Sequence, residues 1–154
     1  MKSCRAWDLK DGDAQKMSGV ADASFDFVHS SHCLEHLRDP REVLGHWLRI
    51  LKWGGHLICV VPDEDLYEQG VFPSTFNADH KHTFTVHKRK SWSPVSINLL
   101  DLLAGLEPEA RVLKIELLDA TYRYRLAAHP EKRIDQTMTP VGECAIEFVV
   151  QRVG

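Results

Sequence analysis

The sequence predicts an α/β fold around a mostly parallel sheet, and three stretches of the chain support this prediction. Residues 24–30 alternate apolar and polar side chains as a strand does, and a helix with a clear start follows from Pro40. Residues 57–61 form a continuous apolar run, which is typical of a strand buried on both faces. A strand, a helix and a buried strand in this order predict a βαβ unit with parallel strands.

Length, charge and hydrophobic content exclude several classes of protein before any motif is considered. The 154 residues are enough for one domain with its own core, so we expect residues 1–154 to form a single domain. A net charge of −3 with 44% hydrophobic residues favours a folded chain and disfavours a general nucleic-acid binder. No apolar run is long enough for a membrane span, and the first residues lack the apolar core of a secretory signal. Together with four cysteines that form no C-x-x-C pair, this predicts a cytoplasmic protein with reduced thiols.

The helix that links the two strands has recognisable ends. Asp39 can cap its first turn, Pro40 suits the first helical position, and Glu42 stands where a capping box places its carboxylate. Gly54 and Gly55 are expected to end the helix by supplying positive φ angles.

The flanking segments carry weaker patterns. Residues 3–9 are compatible with a short strand, followed by a turn at 12–14. Residues 63–92 show no sustained period and predict an irregular insertion that caps a substrate site. A helix is expected from Ser93-Pro94 to Leu106, and a polar loop from 122 to 140. Residues 112–118 and 144–150 predict two late strands.

Several motifs occur in an order and at a spacing that together resemble one family. They are Gly12-Asp13-Ala14-Gln15, Ser24-Phe25-Asp26-Phe27-Val28, Cys33-Leu34-Glu35-His36-Leu37, Asp39-Pro40 and Leu48-Arg49-Ile50-Leu51-Lys52-Trp53-Gly54-Gly55-His56-Leu57. This set lies within residues 8–63 and resembles the class I S-adenosylmethionine-dependent methyltransferases, in particular the type 11 group. The resemblance implies a Rossmann-like three-layer sandwich, a mostly parallel sheet with a C-terminal antiparallel strand, and S-adenosylmethionine as the cofactor.

The resemblance also implies where the adenosine part of the cofactor would bind. Asp13 would accept a hydrogen bond from the adenine amino group, the Ala14 amide would donate to a ring nitrogen, and Gly12 would let the backbone bend closely around the base. Asp8 is the candidate for binding the ribose hydroxyls. The alternative for this segment is a plain turn with a solvated aspartate.

The methionine part of the cofactor would face the end of the first predicted strand. In the resembled fold, ligands lie outside the carboxyl ends of the strands. Ser30, Ser31 and His32 leave the strand at that point. The alternative is a polar loop whose side chains bond only to their own turn.

Methyl transfer requires an aligned acceptor atom held out of water, and an oxygen acceptor also needs a nearby base. Asp63, directly after the buried strand, and His80 in the irregular insertion are the candidates for the catalytic base. A solvated loop residue explains each of them equally well. The resemblance implies a small-molecule or glycan-type acceptor.

Four histidines raise the alternative of a metal-dependent hydrolase. His32 and His36 would share one helical face, and His80 and His82 could complete a site if their loop folded back. The helical pattern is clear only from Pro40, however, so packed histidines are favoured and no metal site is predicted.

The glycine-rich loop that wraps the cofactor in the resembled family has no counterpart here. None of the nine glycines forms a G-x-G motif. The motifs begin at what the family would call its third strand, so the resemblance implies an N-terminally truncated fold that lacks two strand–helix units. The strand at 25–29 would then have an open apolar edge, which we expect residues 4–7 or a second copy in a homodimer to cover.

Two functions of different classes therefore remain open from sequence alone. One is a methyltransferase, and the other is a catalytically inactive methyltransferase-like scaffold that binds a partner. The missing glycine loop favours the scaffold, whereas the Gly12-Asp13-Ala14 motif and the histidine-rich insertion favour descent from an enzyme.

Overall fold

A computed structural model describes residues 3–138 and 142–154 of the chain. In these residues, six strands and three α-helices follow one another in the order β1 (Phe25–Ser31), α1 (Pro40–Ile50), β2 (Leu51–Pro62), β3 (Thr83–Thr85), β4 (Ser96–Asn98), α2 (Leu99–Ala104), β5 (Ala110–Leu118), α3 (Tyr124–Ala127) and β6 (Ala145–Arg152). Within these described residues, no helix has the length and apolar character that a bilayer crossing requires.

The main sheet confirms the predicted fold class and contains the βαβ unit. Its strand order is β1-β2-β6-β5, with β1 and β2 parallel and α1 as their crossover. The other two pairings, β2 with β6 and β5 with β6, are antiparallel. The parallel share is thus smaller than expected, because β6 returns between β2 and β5 and pairs antiparallel with both.

Helix α1 starts at Pro40 with Asp39 as its cap, as the sequence predicts, but the Glu42 carboxylate accepts from Gln15 Nε2 and does not close a capping box. Asp39 Oδ1 accepts hydrogen bonds from the amides of Arg41 and Glu42 at 3.0 and 3.1 Å. The buried face of the helix packs on the sheet through five apolar side chains, Val43, Leu44, Trp47, Leu48 and Ile50.

The expected end of this helix at Gly54 and Gly55 is wrong. Helix α1 ends at Ile50, and both glycines lie inside β2. The two glycines lie where the register between β1 and β2 shifts. Phe25 pairs with Leu51, whereas Phe27 pairs with His56. Gly54 has a φ of +74°, and a Cβ on Gly55 would lie 2.8 Å from the Lys52 carbonyl oxygen. The glycines therefore let β2 bulge beside β1 rather than cap the helix.

The predicted strand at residues 3–9 is also wrong. Residues 3–8 have no regular structure, and Leu9–Asp11 form a single 3₁₀ turn. Residues 4–7 therefore do not pair with β1. Among the described residues, the only strand paired with β1 is β2, so the outer edge of β1 is open in one copy of the chain.

The second half of the chain differs from expectation mainly in its boundaries. The insertion predicted at 63–92 begins with a π-helical turn at Glu64–Glu68 and contains β3, which pairs in parallel with β4. The helix expected from Ser93 is only α2, because Ser96–Asn98 form β4 and Asn98 caps the helix. Both late strands are present as β5 and β6. The predicted loop at 122–140 contains α3 and short 3₁₀ turns, with residues 139–140 outside the described residues.

The bulge in β2 yields a test of this local structure. We expect Gly55→Ala to lower the free energy of unfolding by about 1–3 kcal/mol, because two backbone oxygens, of Lys52 and Asp26, lie within 3.0 Å of the new methyl group. The matched control is Gly45→Ala, in α1 with nothing within 4 Å of its Cβ, which should raise stability by about 0.5–1 kcal/mol. Urea unfolding measures both changes, and a stabilising Gly55→Ala would contradict the bulge.

Candidate functional site

The carboxyl ends of β1 and β2 lie side by side, which is where ligands bind in open α/β sheets. Ser31, the last residue of β1, pairs with Val60, and the His32 amide donates to the Val60 carbonyl at 3.0 Å. Asp63 follows β2 directly, and its amide donates to the Cys144 carbonyl at 2.8 Å. The parallel pairing thus places two predicted site segments at one edge of the sheet.

A cleft of ≈ 390 Å³ opens beside this edge. Its lining includes Gly12 and Asp13, the segment 36–38 that follows β1, and Lys81. Gly12 has a φ of +126°, a backbone conformation that favours glycine. The sequence motif at 12–13 therefore lines a concave surface next to the strand ends.

The loop that carries this motif is fastened to helix α1 and to Arg38, which lies just before it. The Trp47 indole donates to the Ala14 carbonyl at 2.9 Å, and the Arg38 amide donates to Gln15 Oε1 at 3.0 Å. Asp13 Oδ1 accepts from the Gln15 amide at 2.8 Å. These bonds hold the Asp13 carboxylate in an ordered turn although it is exposed.

The other residues proposed to bind cofactor lie outside the lining of this cleft. Asp8 caps the 3₁₀ turn by accepting from the Leu9 amide at 2.7 Å. Ser30 is buried at the end of β1, and Ser31 and His32 are exposed. The structure brings Gly12 and Asp13 together with the segment after β1 but leaves Asp8 beside the cleft.

Asp63 is a buried carboxylate with an altered pKa. Its side chain is capped into the following turn, since Oδ1 accepts from the amides of Asp65 and Leu66 at 2.9 and 3.0 Å. Burial raises the pKa of Asp63 to about 6, against the lowering effect of these hydrogen bonds. A carboxylate that titrates close to neutral pH is suited to act as a base.

His80 occupies a buried cluster rather than a solvated loop. Its Nδ1 lies 2.6 Å from Glu68 Oε1, and its Nε2 lies 4.0 Å from Glu35 Oε1. The amides of Lys81 and His82 both donate to the Glu35 carbonyl, at 2.8 and 3.3 Å. This backbone link fixes the histidine-rich segment against the turn that follows β1.

The fold that carries these features matches known proteins. Residues 2–59 match the family model described as a methyltransferase domain. An S-adenosylmethionine-dependent methyltransferase from Archaeoglobus fulgidus superposes on 92% of this chain and 66% of its own, with 18% identity and a TM-score of 0.58. The chain has the class I methyltransferase fold.

Two further structures share the methyltransferase fold. A Mesorhizobium loti protein named as an S-adenosylmethionine-dependent methyltransferase superposes with a TM-score of 0.52 and 13% identity, over 90% of this chain and 66% of its own. A Haloferax volcanii protein, described as a methyltransferase in complex with the Trm112 methyltransferase activator, superposes with a TM-score of 0.50 and 16% identity. That match covers 90% of this chain and 58% of the other. Among curated protein sequences, none matches this chain.

The present chain spans 58% and 66% of the length of the Haloferax and Archaeoglobus proteins. The resemblance to class I methyltransferases inferred from the motifs is thereby confirmed at the level of the fold.

Sequence patterns missed two groups of residues at this site. Arg38 and Lys81 line the cleft, and Glu68 contacts His80, yet none of the three belongs to a recognisable motif. Four acidic residues occur within residues 63–68, a segment without an apolar face. This density of acids was the only sequence feature that could have indicated buried, partnered carboxylates there. A larger cleft of ≈ 460 Å³ lies between α2 and β5 and contains none of the predicted site residues.

The raised pKa of Asp63 gives a pH dependence that can be measured. Because the folded pKa of about 6 exceeds the unfolded value near 3.8, the folded state binds the extra proton and stability falls as pH rises from about 4 to 7. Relative to Asp63→Asn, which keeps the Oδ1 acceptor, the wild type should lose about 3 kcal/mol of unfolding free energy across this window.

Urea unfolding at pH 4, 5, 6 and 7 measures this difference. The control is Glu131→Gln, a carboxylate whose side chain is 68% exposed, which should show no such slope. If the difference in unfolding free energy between the wild type and Asp63→Asn stays constant from pH 4 to 7, the raised pKa of Asp63 is contradicted.

Proposed function

We propose that this chain binds S-adenosylmethionine and transfers its methyl group to a small-molecule or glycan-type acceptor. One observation carries the proposal: Gly12 and Asp13 line a cleft of ≈ 390 Å³ beside the carboxyl end of β1, in a chain with the class I methyltransferase fold. The named cofactor of the Archaeoglobus and Mesorhizobium neighbours supports the choice of ligand.

The residues of the cleft fit the adenosine end of this cofactor. The turn holds Asp13 Oδ1 on the Gln15 amide, so its second carboxylate oxygen can accept from an adenine amino group. A Cβ at Gly12 would contact the Trp7 ring at 3.4 Å, so the glycine lets the turn pack against that ring, and Leu37 adds an apolar surface to the lining of the cleft. Asp8, one residue before the lining residue Leu9, remains the proposed ribose contact.

The acceptor would lie on the side of Asp63. When bound, S-adenosylmethionine supplies a methyl group already activated for displacement. Asp63 would take the proton from an acceptor hydroxyl, since it is 5% exposed and has a pKa of about 6. Ser30, Ser31 and His32, at the end of β1, would face the methionine part, and His80 is the second candidate for the base as long as its Nε2 is free.

A second candidate function, partner binding, is favoured by the open edge of β1. Among the described residues, β1 pairs with β2 alone, and its other edge, next to the exposed Phe27 side chain, can serve as a template for another strand. The Haloferax neighbour was solved in complex with an activator protein, so a partner on this fold has a precedent. For this chain we propose a second copy, with two β1 strands paired across a two-fold axis.

Calorimetric titration of the purified chain with S-adenosylmethionine and S-adenosylhomocysteine tests the first function. We expect binding, weakened roughly 10-fold or more in Asp13→Ala, because a hydrogen bond to a charged group contributes about 1.5–3 kcal/mol. Glu131→Ala removes an equal charge from an exposed position and should bind like the wild type. Absent binding, or equal affinity in both variants, would refute the adenine assignment.

Sedimentation equilibrium tests the proposed homodimer. We expect twice the chain mass, and Phe27→Lys should shift the equilibrium toward monomer because it places a charge beside the paired edge. Leu9→Lys replaces a side chain that is 94% exposed and should leave the mass unchanged. A monomer whose amides at 25–31 exchange rapidly with solvent would contradict pairing between copies.

A further inference from the structure

Glu35 is a buried acid whose carboxylate has no hydrogen-bond partner. Its side chain is 0% exposed, and neither Oε1 nor Oε2 bonds to any group within residues 3–138 and 142–154. Burying a carboxylate without a hydrogen-bond partner is costly, since the charged form loses its hydration. A cation or proton must therefore compensate this group.

Three histidine rings surround the same oxygen. Glu35 Oε1 lies 3.7 Å from His36 Nε2, 3.7 Å from His32 Nδ1 and 4.0 Å from His80 Nε2. These separations are too long for hydrogen bonds. The ligand atoms of Glu35, His36 and His80 nevertheless all lie within 4.8 Å of one another, which leaves space for an atom between them.

The Nδ1 atoms of His36 and His80 each lie next to a hydrogen-bond acceptor. His80 Nδ1 lies 2.6 Å from Glu68 Oε1, and Glu68 is 1% exposed. His36 Nδ1 lies 3.2 Å from the Asp79 carbonyl and 3.0 Å from Asp79 Oδ2. Donating Nδ1–H to these oxygens places the Nε2 lone pairs toward Glu35. A carboxylate behind a histidine is the arrangement that orients metal-binding imidazoles in proteins.

The backbone holds the cluster together independently of any ion. The amides of Lys81 and His82 donate to the Glu35 carbonyl, so the segment that carries His80 is fixed to the turn that carries Glu35 and His36. The ligand atoms are therefore brought together by the fold itself.

A second buried acid nearby shows how a glutamate in this protein is satisfied without an ion. Glu64 is also 0% exposed, but its oxygens accept from Thr83, Ser91 and Ser96 and pair with Lys88. Glu35 has no such set of donors. Glu35 instead faces the imidazoles of His32, His36 and His80 at 3.7–4.0 Å, so a cation placed between these atoms would give its carboxylate a closer partner.

We propose that Glu35, His36 and His80 bind a divalent transition-metal ion of the zinc class, with Glu68 orienting His80. Two imidazoles and one carboxylate are a common zinc ligand set that leaves a further position open. Tetrahedral zinc ligands lie about 3.3 Å apart, so ligand atoms that now lie within 4.8 Å of one another would need to close by up to about 1.5 Å on binding. His32, whose side chain is 37% exposed, borders the fourth position. Because His36 also lines the proposed cofactor cleft, the ion would lie beside that cleft.

Metal analysis and zinc titration of tag-free, chelator-treated protein test this site. We expect one Zn²⁺ per chain with micromolar or tighter affinity, and Co²⁺ should give the visible absorption of a tetrahedral site. Glu35→Gln and His36→Ala should each weaken zinc binding more than 100-fold by removing a ligand, whereas Glu68→Gln should weaken it roughly 10- to 100-fold. His129→Ala removes an exposed imidazole outside the cluster and should bind zinc like the wild type.

Folding and binding can be separated in these variants. Thermal unfolding of each apo variant shows whether it is folded, and zinc should raise the midpoint of the wild type and of His129→Ala but not that of His36→Ala. Absence of stoichiometric Zn²⁺ or Co²⁺ binding by the wild type would overturn the proposal, as would equal affinity in His36→Ala and His129→Ala. These readouts do not involve S-adenosylmethionine, so their failure is distinct from failure of the proposed methyl transfer.

Discussion

The parallel pairing of β1 with β2 is the constraint on which the rest of the site depends. It aligns the carboxyl ends of the two strands, so that His32 and Asp63 leave the sheet at the same edge. The crossover helix α1 follows from this pairing, since parallel neighbours need a long connection. Everything proposed to bind a ligand is carried by the segments that leave this edge or by the loop that α1 holds against it.

The sequence predicted the parts of the fold that depend on local patterns. The strand at β1, the Asp39 cap and the apolar run in β2 were identified because alternation, capping chemistry and burial leave a clear mark on composition. The role of Gly54 was not predictable, because a bulge depends on how β2 pairs with β1 and not on the helix before it. The strand expected at residues 3–9 failed for a related reason, since it has no paired strand in the structure.

The candidate site likewise contains residues that a local motif predicts and residues that only the three-dimensional structure brings together. Gly12 and Asp13 were found from a motif, and the structure places them in a cleft. The cluster of Glu35, His36, Glu68 and His80 spans residues 35 to 80 and depends on two backbone hydrogen bonds that no local pattern encodes. Sequence alone therefore favoured packed histidines, whereas the burial of an unpartnered carboxylate among them is visible only in three dimensions.

The bonds that join Ala14 and Gln15 to Trp47 and Arg38 have a consequence for the thermodynamics of association. A loop that becomes ordered only on contact with a ligand loses conformational entropy, and this loss reduces the affinity. Here the turn is already held in place by a helix whose Trp47 ring is only 3% exposed. A small ligand entering the cleft would meet a preorganised wall, and little of its contact energy would be spent on fixing the chain.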